Sequence, residues 1–247
     1  MKRLPLLLLF LAFSIVLPAQ AWTQASDRLI VEKSLTLAPH DLKLVLDKFQ
    51  PELQRGLEEA ESDEGSDSHH YFVLSRSGKL RERIEKETAG IIRMIRTNQP
   101  MPAVAGRLGV LVHLVADANN PFHIANDDPR LGVAHDDYEQ YFERRMSRFP
   151  TVFYGLDRNF ALSPYLDKTF SRTLKLYPLM SEEYFPGGEE QSSDSFDDHS
   201  TAFGVASVCF SHAVTDLVNL YYYIWREAGG DVRSASTLQG GRIPNAH

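Results

Sequence analysis

The sequence predicts an all-α protein folded as a single compact multi-helix domain. Three observations carry that prediction. Apolar residues recur every three or four positions along most of the chain, and the alternation that marks a half-buried strand is rare. The length, 247 residues with a removable leader, suits one domain with a sizeable core, and no internal repeat or second domain is visible. The lone cysteine, Cys209, excludes an intrachain disulfide and, among apolar neighbours, reads as a small buried hydrophobe.

Residues 1–21 read as a secretory leader. Lys2 and Arg3 supply the charged start, Leu6 to Leu17 the apolar core, and Ala19-Gln20-Ala21 a small-residue cleavage site. Cleavage after Ala21 makes Trp22 the mature N-terminus and leaves a domain over 22–231. Ser26 or Asp27 is placed to cap a first helix over about 28–37. Pro39 suits the first turn of a second, running to about residue 60 with Leu42, Val45, Leu46, Phe49, Leu53 and Leu57 on one face. An acidic loop and His69-His70-Tyr71-Phe72 follow. A third helix is expected over about 79–97, and a fourth, apolar on nearly all sides and so central, over about 102–118. A loop containing Pro121 leads to a helix over about 134–146. Prolines and Gly187-Gly188 punctuate residues 150–200, around a helix at about 166–176. The last strong helix covers about 201–228, with its Tyr221-Tyr222-Tyr223 stretch read as core packing, and Gly229-Gly230 stops it. From Val232 to the end, 232–247, the sequence reads as a disordered tail.

Loss of Lys2 and Arg3 takes the formal net charge from -7 to about -9. That balance argues against tight binding to duplex nucleic acid or anionic membranes through bulk charge. It leaves room for a substrate phosphate held by metal ions, which invert the local field. Apart from the leader core no long apolar run stands out, so no transmembrane segment is expected. An exported chain without disulfides suits a periplasmic or secreted protein, and a monomer is the expected state.

The residues that point to chemistry lie between positions 113 and 139. His113 and Asp117 are four apart on the predicted central helix, so they share a face one turn apart. His135 and Glu139 repeat that spacing on the next helix, and His123 follows Pro121 in the loop between. Each alone has a bland explanation, as a core hydrogen bond, a solvated helix face or an ordinary loop histidine. Together they offer the mixture of imidazole and carboxylate that Zn²⁺ takes in catalytic sites. No Gly-Lys phosphate loop, nucleophile elbow or dinucleotide fingerprint competes.

The run His113-Leu-Val-Ala-Asp117-Ala-Asn-Asn-Pro121-Phe-His123-Ile-Ala-Asn126 resembles the signature of bacterial zinc-dependent phospholipases C. It is similar, less closely, to the fungal zinc nucleases that cut single-stranded nucleic acid. The resemblance implies a mainly helical protein with up to three Zn²⁺ ions in a cleft, hydrolysing phosphate esters of a phospholipid or another phosphodiester. It implies that Trp22 holds one ion through its α-amine and carbonyl oxygen, that Asp117 bridges that ion to a second bound by His113, and that His123, His135 and Glu139 hold the third. It also implies a carboxylate five residues after a helix-closing glycine. Gly56 gives Glu61, a candidate as well for orienting or deprotonating the attacking water. A histidine before an aromatic residue completes the pattern, with His70 the first choice and His69 the alternative.

The sequence departs from this pattern at one place. The family has a histidine shortly after the N-terminal tryptophan, and here Asp27 stands there, able either to bind metal or only to cap the helix. Single-stranded nucleic acid as substrate would need an aromatic stacking platform, for which Tyr71 and Phe72 are candidates. A metal-binding protein without catalysis is the rival of another class. His40 at the exposed start of the second helix, His199 in a loop and His212 in the apolar last helix fall outside the motif.

Overall fold

A computed structural model describes residues 24–62, 67–125 and 130–243. The leader, Trp22 and Asn126 lie outside the described residues. Ten α-helices are described: α1 Gln24–Leu35, α2 His40–Lys48, α3 Gln50–Ser62, α4 Leu80–Arg96, α5 Met101–Ala118, α6 Pro121–Ile124, α7 Leu131–Arg145, α8 Leu162–Leu174, α9 Tyr177–Tyr184 and α10 Thr201–Glu227. The all-α, single-domain expectation holds.

Helix α5 is the centre of the bundle because nothing on it demands water. Arg107 and Asp117 are its only charged residues, and every residue from Leu108 to Ala118 is buried. Helices α3 and α4 flank it, while α10, buried over most of its 27 residues, packs against α5, α1 and α9. Both α5 and α10 are long and apolar enough to cross a membrane by length and composition; here their surfaces form the core of the bundle.

The α3–α5 contact is unusually close, and glycine makes it so. A Cβ on Gly56 would sit 1.9 Å from the Gly106 carbonyl oxygen, and one on Gly109 would sit 2.1 Å from the Leu53 carbonyl oxygen. Backbone meets backbone, which only a residue without a Cβ allows.

Three differences from the sequence expectation have local causes. The long second helix is two helices, broken at Phe49, because Pro51 in the first turn of α3 can neither donate to the preceding turn nor fit its carbonyl. The loop after α5 contains a one-turn helix, α6. The Asn120 side chain accepts from Phe122 N at 3.0 Å, and Pro121 starts the turn with its φ already set. The tail read as disordered from Val232 is structured as far as Ile243: strand β2, Gly241–Ile243, pairs antiparallel with β1, Thr151–Phe153, with Thr151 opposite Ile243. The reason is non-local. One edge of β1 is taken by α10, where Val152 N donates to Ser211 Oγ at 3.0 Å and Tyr154 N to Thr215 Oγ1 at 3.1 Å. The other edge needs a partner, and β2 supplies it while burying Ile243.

Candidate metal centre

Four segments bring the chemistry together. The last turns of α5 carry His113 and Asp117, fully buried on one face. The Asn119–Asn120 turn and α6 then swing His123 back towards that face. Helix α7 presents His135 and Glu139 one turn apart, and a short 3-10 turn at Asp67–His69 ends on His69.

Among the described residues, two groups of side chains converge: His69, His113 and Asp117, and His123, His135 and Glu139. In the first, His69 Nδ1 lies 2.8 Å from Asp117 Oδ2, and His113 Nε2 lies 3.7 Å from the same oxygen. In the second, the Nε2 atoms of His123 and His135 face each other at 2.9 Å, with Glu139 Oε1 3.5 Å from the former and 3.0 Å from the latter. The groups adjoin, since Asp117 Oδ1 is 3.7 Å from His123 Nδ1.

Hydrogen bonds behind the rings orient them. His123 Nδ1 lies 2.8 Å from the His69 carbonyl oxygen, which can only accept, so the ring proton sits on Nδ1 and Nε2 keeps its lone pair. Asn120 Nδ2 donates to Glu139 Oε1 at 3.4 Å. Such supports behind the ligands are what fix ring orientation in metal sites.

The electrostatics follow from burial and proximity. Burial alone would raise Asp117, but His113, His123 and His69 surround it and hold its carboxyl well below the ordinary range. Asp27 goes the other way: burial pushes its carboxyl up, and the neighbouring His113 only partly offsets that. Burial works against charge on His135, yet Glu139 foremost, with Asp136, pushes it up to about 10.

The residues present fit zinc. Asp117 Oδ1 and Glu139 Oε2, each in one of the two groups, are buried carboxylate oxygens without a hydrogen-bond partner, a costly arrangement for a protein to keep unless a cation meets them. Two imidazole nitrogens pointing at each other beside a carboxylate make the same demand, and the donor set of nitrogen and carboxylate oxygen is the one Zn²⁺ takes.

The structure thus brings together His113, Asp117, His123, His135 and Glu139. His69 joins them, rather than His70. His69 ends a 3-10 turn and the backbone beyond it is pinned beside α6, Tyr71 N donating to the His123 carbonyl and Val73 N to the Ile124 carbonyl. His69 is buried against α5, and His70 stacks on the His123 ring at 4.7 Å. Asp27 is no N-cap: it lies within α1, Gln24–Leu35, and its Oδ2 lies 2.8 Å from His113 Nδ1. Glu61, half-buried, stands outside both groups, its Oε2 accepting from Gln24 Nε2 at 2.7 Å. His40 and His199 are exposed, and His212, half-buried, stacks on Tyr154 at 4.3 Å.

Sequence reasoning missed Asn120, which holds Glu139, Gln24, which holds Glu61, and Arg83, whose Nη1 lies 3.1 Å from His69 Nε2. For Asn120 a signal existed, an asparagine directly before Pro121 at a helix start. The partners of Gln24 and Arg83 are set by tertiary packing.

No protein-family model and no curated protein matches the chain by sequence. Solved structures do match. The alpha-toxin of an avian strain of Clostridium perfringens superposes with a TM-score of 0.62 at 14% identity, over 86% of this chain and 66% of that one. The alpha toxin of Clostridium absonum gives 0.63 at 16% identity, over 83% and 63%. The chain therefore spans just under two thirds of the length of these relatives. This likeness supports the resemblance carried by the His113–Asn126 run, and at such low identity what is shared is the fold: the chain has the all-α fold of the clostridial alpha-toxins.

Proposed function

We propose that the mature chain is an exported, zinc-dependent hydrolase of phosphate esters, phospholipase C-like, acting on phospholipid headgroups. The observation that carries the reading is the pair of adjoining groups, His69–His113–Asp117 and His123–His135–Glu139, linked through Asp117 and His123. Two adjoining cation sites suit a dianionic, in-line displacement at phosphorus better than a single structural ion would.

Each residue has a definable task. His69, His113 and Asp117 would hold one ion and His123, His135 and Glu139 another; a third, on the Trp22 α-amine, would complete the set the resemblance implies. Bound zinc would supply Lewis acidity to the phosphoryl oxygens and acidify a water. Asp117, kept ionised at any working pH, contributes fixed negative charge between the groups. Asn120 and the His69 carbonyl hold Glu139 and His123 in place. Glu61 has one oxygen fixed by Gln24 and stands partly in solvent, so its Oε1 is the atom that would orient the attacking water or take its proton. No covalent nucleophile is required.

The Asp117–Asn126 run and the acidic balance are what favour lipid over single-stranded nucleic acid. Tyr71 packs on Phe170 with ring centroids 4.6 Å apart, and Phe72 lies against His70 at 5.5 Å, so both rings already have an aromatic neighbour. The test is an assay of the zinc-loaded mature protein on phosphatidylcholine and on single-stranded DNA, with His113→Ala as control. Hydrolysis of the lipid, lost in the variant, is expected. Hydrolysis of DNA alone, or activity that survives both chelation and the substitution, contradicts the reading.

A further inference from the structure

Asp27 stands where the resembling family carries a histidine ligand, and the geometry gives it a different task. It lies in the first turn of α1, is 1% exposed, and places Oδ2 2.8 Å from Nδ1 of His113. The other ring nitrogen, Nε2, is the one that faces Asp117. Nδ1 and Nε2 lie on opposite edges of an imidazole. An oxygen bonded at Nδ1 therefore stands behind the ring from any ion on Nε2, beyond the reach of a Zn–O bond of roughly 2.0–2.2 Å. Among the described residues, Asp27 is not one of the side chains whose ligand atoms converge.

We propose that Asp27 is a positioning residue of the metal centre, acting through His113: its carboxylate accepts the Nδ1–H, fixes the tautomer and ring angle, and so aims Nε2 at the ion shared with His69 and Asp117. Helix α1 is thereby tied to α5 at the ligand itself. A carboxylate behind a ligating histidine raises the basicity of the ring as well as orienting it, and loss of such a partner typically costs about 10–100-fold in metal affinity. A histidine at this position could ligate but would carry no charge to give the ring, which is the chemical difference the substitution makes.

The inference rests on the zinc reading above, and one experiment separates the two. The zinc content of wild-type mature protein, Asp27→Ala and Asp27→Asn is counted by elemental analysis, and affinity is measured by competition with a chromophoric chelator. The Nδ1–H proton resonance of His113 is recorded for each, with circular dichroism to verify the fold. Expected is an equal number of ions in all three. Asp27→Ala should bind one of them roughly 10–100-fold more weakly and lose the His113 Nδ1–H signal. Asp27→Asn, which still presents an acceptor oxygen but no charge, should keep the signal and bind with an affinity between those of the wild type and Asp27→Ala. Loss of one whole ion in both variants would make Asp27 a ligand and overturn the proposal. So would an Asp27→Ala protein with unchanged affinity. Folded wild-type protein that binds no zinc at all would overturn the metal reading itself, and this inference with it.

Discussion

Asp117 is the residue on which the centre turns. It touches both groups of histidines, its Oδ1 has no hydrogen-bond partner, and the three imidazoles around it hold it ionised against the cost of burial. Asp117→Asn keeps the shape and removes the charge. The expected result is loss of bound zinc from the His69–His113 side and a fall in activity of at least about 10–100-fold, since a ligand counts for no less than a residue supporting one; elemental analysis beside a rate assay checks it. His135 sets a pH dependence. In the metal-free protein Glu139 lifts it from 6.5 to about 10, so the pair's stabilisation is fully present below pH 6.5 and is lost as pH rises through about 10. Zinc has to displace that proton, so affinity at the His123–His135–Glu139 group should rise about tenfold per pH unit across this window. Chelator competition at pH 7 and 8 reads the slope, and a flat profile would speak against His135 as a ligand. At this scale the sequence paired His113 with Asp117 and His135 with Glu139, because i,i+4 spacing on a helix fixes which side chains share a face, while His123, in the loop between them, was added by the motif rather than by a helix face. It could not separate His69 from His70, adjacent residues in irregular backbone whose directions depend on the pairing with α6.

Among the elements, the α3–α5 contact decides where the centre sits. Gly56 and Gly109 let the two backbones approach directly, and the last turns of α5 carry His113 and Asp117. Gly109→Ala would force the helices apart. We expect a loss of about 3 kcal/mol of stability, at the upper end for overpacking because backbone cannot step aside as a side chain can, together with weakened zinc binding. Denaturant unfolding measures the first and chelator competition the second; wild-type stability would mean the helices are less tightly apposed than described. The apolar runs of α4, α5 and α10 made their extents legible to within a residue or two. The break at Phe49 and helix α6 turn on Pro51 and on Asn120 before Pro121, single-residue signals that the apolar pattern outweighed, while strand β2 was not legible, since it depends on a strand edge some ninety residues away.

Across the whole molecule, a buried polar network anchors the turn after α5 to the far side of the bundle. Asp216 on α10 accepts from Asn119 Nδ2 at 3.0 Å, Thr169 Oγ1 at 3.1 Å and Arg172 Nη2 at 2.8 Å, and from the Tyr165 hydroxyl. Asn119 directly precedes the cap of α6, so this network holds the segment that delivers His123. Asp216→Ala would leave the Arg172 guanidinium largely buried without its counter-charge, at a cost of about 3–5 kcal/mol. Thermal or denaturant unfolding checks this, and a loss under 1 kcal/mol would show the network to be dispensable. The most direct test of the account as a whole is a zinc titration. Metal-free mature protein receives increasing zinc while phosphatidylcholine hydrolysis and bound metal are followed together. Activity should be absent at the start, rise with bound zinc, and level off only when both histidine–carboxylate groups are filled. Hydrolysis that is already present without metal, or a fully loaded protein inert towards phosphate esters, would contradict the account.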